Sequence, residues 1–326
     1  VKIPFTKMHG CENDYLMIDV RDGALAQDDS DWSLLSRAMS HRHRGIGADG
    51  IIVIMPPHHD QGAVARMRIF NADGGEAEMC GNGVRCVAAY LHANDGTGDH
   101  LLDIETGAGR RRVELDLDGD GRVRGVAVDM GVPSFDATTF PVIAPDDVRP
   151  EAVIDVPLRD LLPAAWVARL GDAASWRGTC VSMGNPHLVC VLDVPIDDVD
   201  LGRIGVLLEH APCFPSRTNI HIATVHAPSH LRMRTWERGS GLTRACGTGA
   251  AAVLAAAARL GRAARDVRLD VPGGTLQLSW PSERSTITKR GPAFTVFEGI
   301  WDTATGAAPM RGESSEVPAS ILGEVT

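Results

Sequence analysis

The chain has 326 residues, 44% of them hydrophobic and 23% charged, with a formal net charge of −10. That length suits roughly two domains of ordinary size, with apolar material for a core in each. The acidic balance argues against a general nucleic-acid or acidic-membrane binder, and the basic stretches "HRHRG" and "GRRRV" are short enough to be solvated faces.

The first run, "KIPFTKMHG", reads as a strand leading into the polar loop "CEND", with a second strand, "YLMIDV", behind it. No apolar run here has the form of a secretion signal, and none in the chain reaches membrane-spanning length, so a cytoplasmic protein is expected. Trp32, Leu35, Ala38 and Met39 recur at helical spacing, and Gly45 ends that pattern. "GIIVIMP" and "VARMRIFNADG" read as strands, after which glycines 81 and 83 open a helix, "VRCVAAYLHAN". Strands and turns follow from Leu101 to Met130. Residues 134–180 are less regular, with several prolines and one helix expected over "LRDLLPAAWVARLG". "TCVSMGNPHLVCVL" is a strand broken at Gly-Asn-Pro-His, "LGRIGVLLEHAP" a helix, and "RTNIHIATVHAP" and "HLRMRTWERG" strands. An alanine-rich helix follows Cys246, then the strand pair "VRLDVPGGTLQLSW" and a closing strand, "FTVFEGIW". Residues 303–326 are small, polar and proline-containing, and read as a flexible tail.

Three motifs are decoys. "GIGADG" matches a dinucleotide fingerprint in letters, but it follows a helical pattern and leads into a strand, the reverse of what that site needs. "DLDGDG" begins like a calcium loop, yet Ala127 stands where a bidentate glutamate belongs, so a hairpin turn is expected. Cys80 and Cys86 lack a second ligand pair for zinc.

The seven cysteines (11, 80, 86, 180, 190, 213 and 246) are odd in number and match no disulfide scaffold, so they are expected as free thiols, most of them packed as small hydrophobes. Two differ. In "NADGGEAEMCGNGVRC" Cys80 precedes Gly-Asn-Gly and a helix; in "ERGSGLTRACGTGAAAVLAAAARL" Cys246 precedes Gly-Thr-Gly and a helix. The echo suggests a duplicated unit with both thiols turned into one cleft. A helix N-terminus offers unpaired N–H groups and partial positive charge, and glycine lets a ligand approach them. Two facing N-termini would cradle one carboxylate, with a thiol on each side, each of lowered pKa. That arrangement suits inversion of a stereocentre. One thiolate removes a proton from one face of a carbon while the other thiol delivers one to the opposite face. The N–H groups of Gly81–Gly83 and Gly247–Gly249 would take the developing charge, and no electron-sink cofactor is required.

"KMHGCENDY", "NADGGEAEMCGNGVRC", "SMGNPH", "RTNI", "ERGSGLTRACGTGA", "PGGTL" and "GPAFTVFEGI" resemble, in order, the motifs of the diaminopimelate epimerase family. The resemblance implies an α+β fold of two pseudo-symmetric domains, each a mixed sheet or open barrel around a central helix. It places the first at about 1–130 plus a returning segment near 291–302, and the second at 131–290. It implies interconversion of LL- and meso-diaminopimelate, in lysine and peptidoglycan-precursor synthesis, without pyridoxal phosphate or metal. Cys80 would be the base toward the LL isomer and Cys246 toward the meso isomer. Asn13, Asn71, Gly81, Asn82, Asn185, Asn219, Glu237, Arg238, Gly247 and Thr248 fall on substrate-binding positions, and His187 is placed either to tune a thiol or to serve the structure. A homodimer is the candidate assembly; nucleic-acid and membrane partners are not expected. The chain departs from the family pattern at Glu12, where glycine is usual, at Gly75, at Leu242, where glutamate is common, and in the added sequence within 134–180. Two alternatives stand beside it: a two-cysteine racemase of another amino acid, such as histidine, and a non-catalytic amino-acid-binding protein.

Overall fold

The computed structural model describes residues 1–23, 29–58, 62–77, 80–96, 98–145 and 150–303. The expected tail lies outside these residues except for Thr303. The fold is α+β, and its strands pair in two matching series.

In the first, β18 (Phe294–Asp302) pairs with β1 (Lys2–Gly10), β1 with β2 (Asn13–Asp19), and β2 with β3 (Gly50–Met55). The series continues through β4 (Ala65–Asn71), β6 (Leu101–Thr106), β7 (Gly109–Leu117) and β8 (Val123–Asp129), while β5 (Glu76–Ala77) adds to β4. The second runs β9 (Val156–Pro157), β10 (Arg177–Ser182), β11 (Pro186–Val191), β12 (Asn219–Ala227), β13 (His230–Glu237), β15 (Asp266–Val271), β16 (Gly274–Ser279) and β17 (Thr288–Gly291), with β14 (Gly241–Thr243) added to β13. Both series read antiparallel, antiparallel, parallel, antiparallel, parallel, antiparallel, antiparallel. The expected duplication is thus present strand for strand. A short antiparallel seam between β8 and β17 joins the two sheets.

A parallel neighbour needs a crossover connection, and helices supply it at equivalent places. α1 (Asp29–Ser40) links β2 to β3 and α4 (Leu201–Glu209) links β11 to β12; α2 (Gly83–Asp95) precedes β6 and α5 (Gly247–Arg259) precedes β15. Strand alternation divides their side chains between two layers. Tyr15, Met17, Ile52 and Ile54 join the core around α2, whereas Leu16, Ile18, Ile51 and Val53 join the cluster with Trp32 and Met39 of α1. In the second half Val181, Val189, Ala223 and Met233 face α5, and Cys180, Leu188, Cys190 and Ile222 pack on the α4 side. One core therefore runs through both halves around two central helices. Ala250 to Ala257 of α5 are wholly buried: small side chains let strands close around the helix.

Two expectations need correction. The helix expected over 158–171 is a 3-10 turn at Leu158–Asp160 followed by α3 (Ala164–Leu170). Pro163 separates them, since proline lacks an N–H and disfavours helical backbone in the residue before it. The strand β17 was not expected from "TKRG". The added sequence within 134–180, read as less regular, builds a core of its own. Phe140, Val142, Val153, Leu162, Trp166 and Leu170 form a core with Leu201, Ile204 and Leu208 of α4, on the side away from α5.

Candidate active site

The two cysteine motifs share a pair of bonds at the start of their central helices. Gly83 N donates to Cys80 Sγ at 3.4 Å, and Gly249 N donates to Cys246 Sγ at 3.4 Å. Val84 N bonds Cys80 O at 2.9 Å, and Ala250 N bonds Cys246 O at 3.0 Å. Cys246 is the cap of α5, whereas α2 begins three residues beyond Cys80, with Asn82 at the cap position, and Cys80 accepts from its first residue.

The two mouths touch. A methyl group placed on Gly247 would lie 3.4 Å from Gly81 Cα, and Asn82 Nδ2 reaches Ala245 O at 3.4 Å across the halves. Glycine at 81 and 247 permits that approach.

The two thiols differ in surroundings. Cys80 is half-buried; Tyr15 donates its hydroxyl to Cys80 Sγ at 3.1 Å, and the Asn13 amide oxygen lies 3.6 Å from the sulfur. Burial, then the neighbouring Cys80 charge, push the Tyr15 phenol well above its ordinary value, so it remains a donor. Asn13 is itself fixed, giving Nδ2–H to Asp49 at 2.7 Å and accepting from Asn82 Nδ2 at 3.1 Å. Asp49 is held in turn by Arg42 at 2.8 Å. Cys246 corrects the expectation of a lowered thiol: it is buried, and burial followed by the charge of Glu237 push it well above the usual range, outweighing the N–H of Gly249. Thr243 donates its hydroxyl to Glu237, whose own carboxyl is raised chiefly by burial. An ammonium group bound at Glu237 would neutralise the charge that opposes ionisation of Cys246.

Asn185 and Thr248 lie beside Cys246, and Asn219 and Arg238 connect to Asn185 through its neighbour Pro186. Thr248 Oγ1 lies 3.7 Å from Cys246 Sγ and 3.5 Å from Asn185 Nδ2. Asn219 is buried, donating to Pro186 O and accepting from Arg238 N, both at 2.9 Å. Arg238 is exposed and reaches Ser216 O. Asn71 stands apart, exposed at the end of β4, though its neighbour Ala72 bonds Asp49 O at 2.9 Å.

The family model for diaminopimelate epimerase matches residues 5–135 and 179–296. The diaminopimelate epimerase of Moorella thermoacetica is 40% identical over 295 residues, covering 90% of this chain and 98% of its own. That of Desulfovibrio desulfuricans is 42% identical over 301 residues, covering 92% of this chain and 98% of its own. This chain belongs to the diaminopimelate epimerase family. As a family member it is an isomerase of the epimerase type. The fold also matches a solved hydroxyproline epimerase from Agrobacterium vitis with bound trans-4-hydroxy-L-proline, at a TM-score of 0.61 and 18% identity, over 92% of each chain. The family match skips residues 136–178, the segment that builds the outer core beside α4.

The departures from the family pattern lie at the edges of the site. Cys11 and Glu12 have φ of 55° and 60°, a left-handed turn that glycine adopts freely and other residues enter at a cost of roughly 1–2 kcal/mol. Glu12 pairs with Arg244 across the halves. Leu242 is exposed, near Gly202 of α4.

His187 serves the structure. Its Nε2 lies 2.9 Å from Asn185 Oδ1, its Nδ1 lies 2.9 Å from His221 Nε2, and His221 Nδ1 lies 3.0 Å from Thr235 Oγ1. One direction satisfies every group: Thr235 donates to His221, His221 to His187, and His187 to the Asn185 oxygen, leaving the Asn185 NH₂ for the site. Burial pushes His187 well below its usual value and His221 down to about 3. Unfolded histidine takes up its proton near pH ~6.5, so the stability tied to these neutral rings is complete above that pH and drains as pH falls. Urea unfolding is expected to lose up to about 1.4 kcal/mol per ring for each pH unit below 6.5. Equal stability at about pH 7 and about pH 5 would contradict this. Composition and spacing had not singled out Tyr15, Asp49, Arg85, His221, Thr243 or Lys289.

Proposed function

We propose that this chain interconverts LL- and meso-diaminopimelate by proton transfer between Cys80 and Cys246, without a cofactor. The observation that carries it is the contact of two equivalent Cys-Gly helix starts, each sulfur facing an N–H three residues on. The α-carboxylate sits on the N–H groups of Gly81–Asn82 and Gly247–Thr248, where charge develops as the α-proton leaves; loss of one such donor typically costs about 10²–10³ in rate. Tyr15 and Gly83 stabilise thiolate at Cys80, and Gly249 does so at Cys246. Asn13, Asn82, Asn185, Asn219, Glu237 and Arg238 bind the remainder, with Asn71 offered from the rim at the end of β4: amides and guanidinium grip the distal carboxylate and Glu237 meets an ammonium.

The two lobes are residues 1–130 with 291–302, and residues 131–290; they close over the substrate about the β8–β17 seam and exclude water. The decisive experiment incubates each diaminopimelate isomer and the common amino acids in heavy water and reads the Cα signal by proton NMR. Deuterium should enter diaminopimelate, appearing in product before it appears in residual substrate, because separate groups serve the two faces. Exchange of another amino acid instead would replace the substrate; binding without exchange would replace the enzyme by a binding protein.

The chain is proposed to act in the cytoplasm, a reducing compartment that suits seven free thiols. It is also proposed to pair as a homodimer through β18, where Phe294, Val296 and Ile300 are all more than half exposed. Light scattering of Val296→Asp/Ile300→Asp should then report a monomer. A native chain that is already monomeric would refute the pairing.

A further inference from the structure

Lys289 is wholly buried, and its ammonium nitrogen has no hydrogen-bond partner among the described residues. It lies on β17 opposite Val128 of the β8 seam, and its side chain ends beneath the place where the two helix mouths meet. A methyl group on Gly81 would lie 2.4 Å from Lys289 Nζ, and one on Gly247 2.3 Å from it. The amine thus fills the space that glycine leaves at both Cys-Gly steps. Burying such a group unpaired is costly, and an apolar side chain of like volume would fill the space without that penalty.

We propose that Lys289 is a positioning residue for the proton-transfer pair: its ammonium, lodged equidistantly under Gly81 and Gly247, is the counter-charge for whichever thiol is ionised. This rests on the two-thiol mechanism proposed above. An epimerase working in both directions must let the thiolate change places, and a charge fixed beside one sulfur would favour one direction. A charge at the junction favours neither.

The groups facing Lys289 are Arg85 and Cys80 from the α2 side, Cys11 from the β1–β2 loop, Cys246 from α5, and Glu237 from β13. Burial, then Arg85, pull the amine down, and thiolate at Cys80, Cys11 and Cys246 opposes them, leaving the amine at about 7. Arg85 cannot replace it, because its guanidinium is committed to Gly81 O, Asn82 Oδ1 and Pro292 O at 3.0–3.1 Å. Ionisation of either thiol therefore favours the protonated amine.

The test is Lys289→Met, which keeps length and removes charge. The melting temperature should be unchanged or higher. The acid limb of kcat/KM should move up by about one pH unit, kcat at neutral pH should fall about tenfold, and KM should stay near its native value. Alkylation of the site thiols by iodoacetamide at neutral pH, with no substrate present, should slow by a similar factor. A variant with native alkylation and a native pH profile would overturn the proposal, as would one whose only change is a lower melting temperature. Should the variant not fold, lysine-labelled native protein decides by NMR. The Lys289 side-chain resonance should titrate at lower pH in Cys80→Ala and in Cys246→Ala than in the native chain, and an unmoved titration overturns the proposal. Because alkylation needs no substrate, a failure of the two-thiol mechanism shows separately, as absence of Cα exchange by the native enzyme.

Discussion

Cys80→Ala and Cys246→Ala are each expected to lower the epimerisation rate by at least about 10³-fold with little change in melting temperature. General acid and general base each contribute about 10²–10⁴, and removal of either leaves one face of the carbon without a proton carrier. The structural cost is small by comparison. Each substitution removes one sulfur acceptor for a helix N–H, at Gly83 or Gly249, a capping loss of about 1 kcal/mol. Serine in place of either cysteine should restore the cap but not the rate, since its hydroxyl does not ionise in the working pH range. Proton NMR in heavy water and a thermal melt check this. Either alanine variant retaining more than about a tenth of the native rate would exclude its thiol from the chemistry.

Legibility in the sequence followed locality. The two Cys-Gly motifs were readable because helix starts are encoded in consecutive residues, and the bonds to each cysteine's sulfur and carbonyl oxygen recur in both halves. The strands were readable because one face of each is buried against α2 or α5 and the other against an outer helix or solvent. What escaped were side chains whose role depends on strand register. Tyr15 looks like any inward aromatic until β2 is laid beside the α2 mouth. His221 becomes half of a relay only because β11 and β12 pair in parallel with Leu188 opposite Ile220. Lys289 sits in "TKRG", which carries no apolar alternation, and its burial follows from the β8 seam. Arg85 left one trace: it lies between Val84 and Cys86 in a helix with few charges, and all three are buried.

Gly273→Ala is expected to slow the enzyme about a hundredfold without touching either thiol. Gly273 lies in the turn between β15 and β16, and its N–H bonds Arg244 O at 2.9 Å, two residues before Cys246. A methyl group there would stand 1.8 Å from the backbone oxygen of Cys11 and 2.6 Å from its carbonyl carbon. Those are main-chain atoms in a turn already held at positive φ, so no side chain can swing aside. The turn from the second half must retreat, and Cys11 lies two residues before Asn13, whose amide holds Cys80 and Asn82. Overpacking of this kind costs about 1–3 kcal/mol. A displacement of about 1 Å at the reacting groups costs on the order of 10²-fold in rate. The kinetic loss should therefore exceed the stability loss in consequence: the variant folds, its thiols alkylate, and it turns over about a hundred times more slowly. Gly119→Ala, in the β7–β8 turn with open space around it, is the control and should behave as native. Native kinetics in Gly273→Ala would mean that the two halves need not abut at Cys11 for the thiols to meet their substrate.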